Sequence, residues 1–311
     1  MTMRDLKNPG LRQPAALYIL PFDHRDSFEH GLFGFSPPLS AEQTQQVKVA
    51  KQVVYQGFLQ AGVPLDSGGI LVDEQFGSEI LQDAYARGVL TACPAEKSGQ
   101  DEFEFEYGSD YQAHIEAMNP SYVKVLVRYN PAGDAALNAR QAKKLAGLSA
   151  YLQTTQRPLM FELLVPATAA QKDTSGDDTQ NYDTHARPGL MVQAIHELQD
   201  AGVEAQLWKV EGVGERGDAE ALVAAARRGG RENAALIILG RGADDAQVKR
   251  WLEVAAGVPG FIGFAVGRTT FWDALKRWRA SEITAEQASA EIARNYSGWI
   301  SAFEAGRSQG N

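Results

Sequence analysis

Cysteine is nearly absent from this sequence. Cys93 stands alone in 311 residues, which excludes an intramolecular disulfide and a thiolate metal cluster. Long apolar runs are missing too, and no stretch approaches the roughly 18 residues of a membrane-spanning helix. The first residues, MTMRDLKNPGLRQPAAL, hold no apolar segment of the signal-peptide kind, so the cytosol is the expected compartment and no membrane partner is expected. Surplus positive charge is lacking as well: Lys and Arg number 30 against 39 Asp and Glu, a net charge of −9. That balance argues against nucleic acid, whose binding needs clustered cations. It leaves anionic small molecules open, because salt screens distant charges beyond roughly 8 Å. Histidine is scarce, with His24, His30, His114, His185 and His196 the full set. Only His24 falls in a predicted strand, so a catalytic metal site built from several histidines at strand ends is not expected, and no cofactor is implied.

What remains is ordinary globular material, 44% hydrophobic and 22% charged, compatible with one large domain. Eight short apolar runs read as strands: 16–25, 68–74, 88–94, 121–130, 158–166, 205–212, 235–242 and 260–268. Helical periodicity is clearest at 41–61, 134–155, 186–201, 217–228, 244–256 and 284–306. Eightfold alternation of strand and helix predicts an α/β fold of the TIM-barrel type, (β/α)8, as one domain over 1–311, with flexible ends at 1–14 and 307–311. An open doubly wound sheet is the weaker reading, since no G-x-G-x-x-G follows the first strand. Two long loops, 26–40 and 167–185, leave strand C-termini, where barrel enzymes place their sites. The second is open to being a lid or disordered, and the acidic stretch 101–110 reads as a solvated loop or the start of a helix. The helix at 284–306 either covers the barrel or meets a second copy, so a homo-oligomer stays open.

Barrel strands are covered on both faces and should be apolar. Four runs break that rule, with Asp23 in ILPFDHR, Lys124 in YVKVLV, Glu162 in LMFELLV and Lys209 in LWKVEG. Alternation gives their direction, because successive side chains point to opposite faces. Leu207, Lys209 and Glu211 share one face, and bulky Trp208 and Val210 share the other, which should meet the helices. Lys209 then points into the lumen. The same parity groups Tyr122, Lys124, Leu126 and Arg128, and separately Met160, Glu162 and Leu164. A structural salt-bridge network would explain any one of these charges; four on four strands point to chemistry. A lysine attacks carbonyls only when neutral, and burial together with a second cation, Lys124, is expected to favour the neutral amine of Lys209.

The seventh and eighth strands end in LGRGADD and AVGRTTFWDAL. Gly240, Gly242 and Gly267 allow close backbone approach, and Thr269 or Thr270 is expected to cap a following helix. Arg241 and Arg268 add charge with bidentate geometry. Barrels often bind phosphate at this place, and Arg268 is the stronger candidate. Arg25 is a further candidate for holding the ligand.

Taken in order, PFDHR, YVKVLV, MFELLV, LWKVEG and VGRTTFW resemble the class I tagatose-1,6-bisphosphate aldolase group across roughly residues 16 to 280. The chain is similar above all to the domain that follows the sugar kinase in bacterial 5-dehydro-2-deoxygluconokinases of inositol catabolism. The resemblance implies a lyase that cleaves a phosphorylated keto-sugar, in particular 2-deoxy-5-keto-gluconate 6-phosphate, to dihydroxyacetone phosphate and malonic semialdehyde. Tagatose-bisphosphate and sulfo-sugar phosphate are the alternative substrates. By the same resemblance Lys209 forms the Schiff base, Glu162 moves protons, Asp23 and Lys124 orient hydroxyls, and Arg268 with Gly267 holds the phosphate. One departure stands out: the family's D-Q-R is Asp23-His24-Arg25 here. His24 either recognises a different substrate end, such as a carboxylate, or faces the helices as a core histidine; parity, which sets it opposite Asp23, favours the second. Rival readings are a metal-dependent aldolase, a phosphosugar isomerase and a barrel that binds sugar phosphate without turnover.

Overall fold

A computed structural model describes residues 13–175 and 179–309. The expected flexible segment 1–14 lies almost wholly outside the described residues. Eight parallel strands close into a barrel in chain order: β1 (Leu17–Pro21), β2 (Gly68–Leu71), β3 (Leu90–Pro94), β4 (Tyr122–Arg128), β5 (Leu159–Leu164), β6 (Leu207–Glu211), β7 (Ala235–Leu239) and β8 (Phe261–Ala265). All eight predicted strands are present, trimmed at their ends, and the (β/α)8 expectation holds. The six predicted helices are found within a residue or so of their expected starts. The last runs Ala285–Gln309, so three residues expected in a loose tail continue the helix.

Alternation along each strand separates two apolar layers. Tyr18, Leu20, Val123, Val125, Phe161, Leu163, Trp208 and Val210 face outward into the shell of helices. Leu17, Ile19, Leu71, Leu90, Ala92, Tyr122, Met160, Leu207, Ala235, Ile237 and Ala265 fill the lower lumen. One step further along the same inward rows the polarity reverses, and the charged residues begin. At the closing seam Gly263 pairs with Leu17, and a Cβ there would fall 1.8 Å from the Leu17 carbonyl oxygen. Only glycine lets the backbones meet that closely.

Two helices that periodicity left unassigned are Glu74–Arg87 and Tyr111–Met118. The first starts under the cap of Asp73, whose carboxylate accepts from the Phe76 amide at 2.9 Å. Asp73 also pairs with the fully buried Lys51, whose ammonium donates to the Phe22 carbonyl at 2.7 Å. This brace fixes the end of β1 one residue before Asp23. The segment after β1 is a short π-helical turn, Ser27–Phe33, with Phe28, Leu32 and Phe33 buried. After β5, Tyr182 is buried and donates to the Val165 carbonyl at 2.9 Å, which orders the later part of the 167–185 loop; residues 176–178 lie outside the described residues. Among the described residues no helix is long and apolar enough to cross a membrane.

Candidate active site

The charged layer sits at the C-terminal ends of the strands. Glu162 and Lys209 are register partners across β5 and β6, and Glu162 Oε1 lies 2.8 Å from Lys209 Nζ. The other carboxylate oxygen, Oε2, lies 3.0 Å from Lys124 Nζ. Lys124 Nζ also meets Asp23 Oδ2 at 2.9 Å and Glu96 Oε1 at 2.5 Å. All five side chains are buried and line one cavity of about 210 Å³. The four charges picked out by parity therefore converge on one place, and Glu96 joins them.

Electrostatics divides the two lysines. Burial opposes the Lys124 ammonium, yet Asp23, Glu162 and Glu96 together hold its pKa well above the usual value. Burial by itself would raise the Asp23 carboxyl, but Lys124 chiefly, with His24 and Lys209, holds it below the usual carboxylate range. Glu162 is likewise lowered, against its burial, by Lys124 and Lys209. Glu96 is raised, because burial outweighs Lys124 and Arg25. Lys124 was expected to act on Lys209 as a bare second cation. It is instead clothed by three carboxylates, and Glu162 stands between the two ammonium groups, so their repulsion is largely cancelled. Lys209, by contrast, has a single ion-pair partner among the described residues. The Lys124 ammonium fills the point where three carboxylates converge.

Glu96 escaped the sequence reading because the third strand was ended at Pro94. The signal was present: Leu90, Ala92, Pro94 and Glu96 continue one inward row. The acidic stretch beyond it does lead into a helix, since Gly108–Asp110 form a 3-10 turn just before Tyr111–Met118, and Asp101, Glu104 and Asp110 are exposed, but its middle is not simply solvated. It folds back over the cavity. Lys97 donates to the Glu104 carbonyl and Glu106 to that of Ala95, Phe103 is buried in the outer core, and the Phe103 amide donates to Gln141 Oε1 at 2.8 Å. Arg25 holds this loop, with Nη1 2.8 Å from Glu106 Oε2 and Nη2 donating to the Glu96 carbonyl at 2.8 Å. Its two terminal nitrogens are thus engaged by the protein, and Arg25 acts as a strut for the loop rather than as the free anion ligand that was expected.

His24 also differs from expectation. β1 ends at Pro21, so strand alternation lapses before residue 24, and His24 lines the cavity beside Asp23. Its side chain is 31% exposed, with Nδ1 3.9 Å from Asp23 Oδ1. Burial, helped by Lys209 and Arg268 and opposed by Asp23, pushes its pKa down to about 4. The imidazole therefore stays neutral near pH 7.

The predicted phosphate-binding residues at the β7 and β8 ends do not line this cavity; there Gly267 precedes the helix Arg268–Arg279 and no side chain caps it. Neither threonine takes the expected capping role: Thr270 Oγ1 donates to the Val266 carbonyl at 2.7 Å and Thr269 Oγ1 to that of Ala243 at 3.3 Å. The Thr270 amide donates instead to the Gly267 carbonyl at 2.7 Å. A Cβ on Gly267 would lie 2.5 Å from the Pro21 carbonyl oxygen and 3.1 Å from His24 Cε1, so this glycine joins the β8 end to the β1 end. Gly242 has φ +72, and a Cβ there would lie 2.6 Å from Arg268 Nη2. Gly240 is packed against Val266, with a would-be Cβ 3.2 Å from its Cγ1. Arg268 is exposed and has no carboxylate partner among the described residues. Arg241, expected beside it as an anion ligand, is tied to Glu211 at 3.0 Å and Asp183 at 2.6 Å; it braces the loop.

No curated protein matches the chain. Among solved structures, Cgl0159 from Corynebacterium glutamicum is similar at TM-score 0.56 and 16% identity, over 91% of this chain and 85% of that one; at that identity the likeness speaks for the fold alone. A family model described as an uncharacterized protein conserved in bacteria (DUF2090) matches residues 7–307, and the chain belongs to that family.

Proposed function

We propose that the protein is a cytosolic class I aldolase, a carbon–carbon lyase that cleaves a phosphorylated keto-sugar through a Schiff base on Lys209. The observation that carries this reading is the Glu162 carboxylate shared between Lys209 at 2.8 Å and Lys124 at 3.0 Å. Glu162 Oε1 is placed to take a proton from Lys209, leaving the amine lone pair free for a ketone. Attack gives a carbinolamine, and loss of water, with Glu162 returning the proton, gives an iminium. A carboxylate then removes the proton from the hydroxyl beyond the scissile bond; Glu162 is the residue proposed. The carbon–carbon bond breaks, its electron pair moves into an enamine, and the aldehyde fragment departs. Protonation at carbon and hydrolysis release the ketone and restore Lys209. Asp23 and the permanently charged Lys124 orient hydroxyl groups.

Arg268, with the backbone of Gly267, Gly240 and Gly242, is the proposed phosphate site, since no carboxylate pairs with its charge among the described residues. The proposed substrate is 2-deoxy-5-keto-gluconate 6-phosphate of inositol catabolism, cleaved to dihydroxyacetone phosphate and malonic semialdehyde. Tagatose-bisphosphate and sulfo-sugar phosphate are the next candidates. Sodium borohydride added with each substrate should fix a reduced adduct on Lys209, located by mass spectrometry, and Lys209→Met should abolish it. Full turnover by Lys209→Met would rule the scheme out. A barrel that only binds would give no dihydroxyacetone phosphate in a coupled assay.

A further inference from the structure

Arg128 is an inward-facing cation that the catalytic scheme leaves unused. It ends β4, on the inward row of Tyr122, Lys124 and Leu126, and lines the cavity. Its Nη1 donates to the Gln100 carbonyl at 2.6 Å, and no carboxylate lies within ion-pair range of it among the described residues. Lys97 lines the same rim, exposed and without an ion pair among those residues. Of the acids that line the cavity, Asp23, Glu96 and Glu162 are paired with Lys124 and Asp26 with His30 at 2.6 Å. The rim at β4 therefore holds positive charge that no ion pair answers among the described residues.

Its position is informative. Leu126, Glu162 and Lys209 lie at one level by strand register. Arg128 stands two residues above that level, roughly 7 Å along the strand, and two strands from β6, roughly 10 Å around the wall. β4 and β8 are diametrically opposed in the closed barrel of eight, so the end of β4 that carries Arg128 lies across the barrel from the end of β8 that leads into Arg268. The loop bearing Gln100 and Lys97 is pinned through Arg25 and Gln141. Gln141 Nε2 donates in turn to the Arg128 carbonyl at 3.0 Å, so the arginine and the loop are held as one unit.

We infer that Arg128, flanked by Lys97, is a second anion subsite that selects substrates by the end of the chain remote from the Arg268 phosphate. Its ligand is a carboxylate or phosphate on that end. The role assigned to the ketone rests on the Schiff-base reading; the subsite itself does not. Three probes share a ketone next to a phosphate and differ at the far end: a ketose 1-phosphate with a neutral hydroxymethyl, a ketose 1,6-bisphosphate, and a 5-keto-hexonate 6-phosphate ending in carboxylate. Calorimetry on Lys209→Met, which cannot form the imine, reads binding alone.

The charged-ended probes should bind at least about tenfold tighter than the ketose 1-phosphate, as a charge-assisted pair implies. Adding Arg128→Gln should cut that ratio below about threefold, with Arg128→Lys intermediate because the charge stays and the planar fork is lost. The ratio is read within each variant, so a general loss of stability does not mimic the effect. Whichever charged probe loses more on Arg128→Gln identifies carboxylate or phosphate as the preferred group. An unchanged ratio in Arg128→Gln, or no preference in the parent, overturns the subsite. Borohydride trapping of the unmodified chain with the same probes runs in parallel. A ratio that responds to Arg128 without any trapped lysine defeats the aldolase reading alone, and a trapped Lys209 with an indifferent ratio defeats the subsite alone.

Discussion

Lys124 balances three carboxylates at once, so Lys124→Met would leave Asp23, Glu96 and Glu162 facing one another without a counter-charge. Breaking a buried ion pair in this way costs about 3–5 kcal/mol, measurable by urea denaturation at pH 7. Asp23 and Glu162 have folded pKa values below their unfolded ones. Their stabilisation is therefore present above roughly pH 4 and lost as pH falls through the folded values. The penalty of Lys124→Met should accordingly shrink in acid, where the abandoned carboxylates take up protons. His24 has the opposite chemistry and a similar sign. Its folded pKa of about 4 lies below the unfolded value near 6.5, so the unfolded chain binds more protons between those limits and acid destabilises the fold. His24→Gln should flatten the stability curve between about pH 6.5 and 4 and leave it little changed above; an unaltered slope would show that the imidazole is not held neutral. These two residues also mark how far sequence reading reaches. Alternation found Lys124 because β4 is a true strand through residue 128, and it misplaced His24 because β1 stops at Pro21.

Strands were legible as elements because each is a short apolar run, covered on both faces, and in β4, β5 and β6 a charged residue interrupts the inward row. The helices Glu74–Arg87 and Tyr111–Met118 were not: the first mixes polar residues among its buried Phe76, Ile80 and Leu81, and the second buries only Ile115. The loop after β3 was illegible for a different reason. Its acids look solvated in sequence, and only the fold brings Arg25, from a distant strand end, to Glu106. Gly263 is the element whose replacement is most readily tested. Gly263→Ala would drive a methyl into the Leu17 carbonyl, and because backbone rather than a flexible side chain is struck, the cost should exceed the usual 1–3 kcal/mol of overpacking, roughly, and part the β8–β1 seam. Hydrogen exchange should then show β1 and β8 amides losing protection ahead of those in β4 and β5.

The whole molecule is joined end to end by its last helix. Ala285–Gln309 packs on the helices 41–60, 245–256 and 268–279, and Tyr296 donates its hydroxyl to the Tyr18 carbonyl at 2.6 Å in buried surroundings. Tyr296→Phe leaves that carbonyl without this donor and should cost about 1–3 kcal/mol in a thermal or urea melt; no loss would mean the tie is incidental. The barrel class was readable from eightfold alternation, whereas the closure by this helix was not, since an amphipathic segment does not say which neighbour it covers. The plug of Leu17, Ile19, Leu71, Tyr122, Met160, Leu207 and Ile237 beneath the ionic layer has its own consequence. It makes the chamber a cul-de-sac: whatever enters from the charged side, solvent included, must turn back and leave by the doorway it came through.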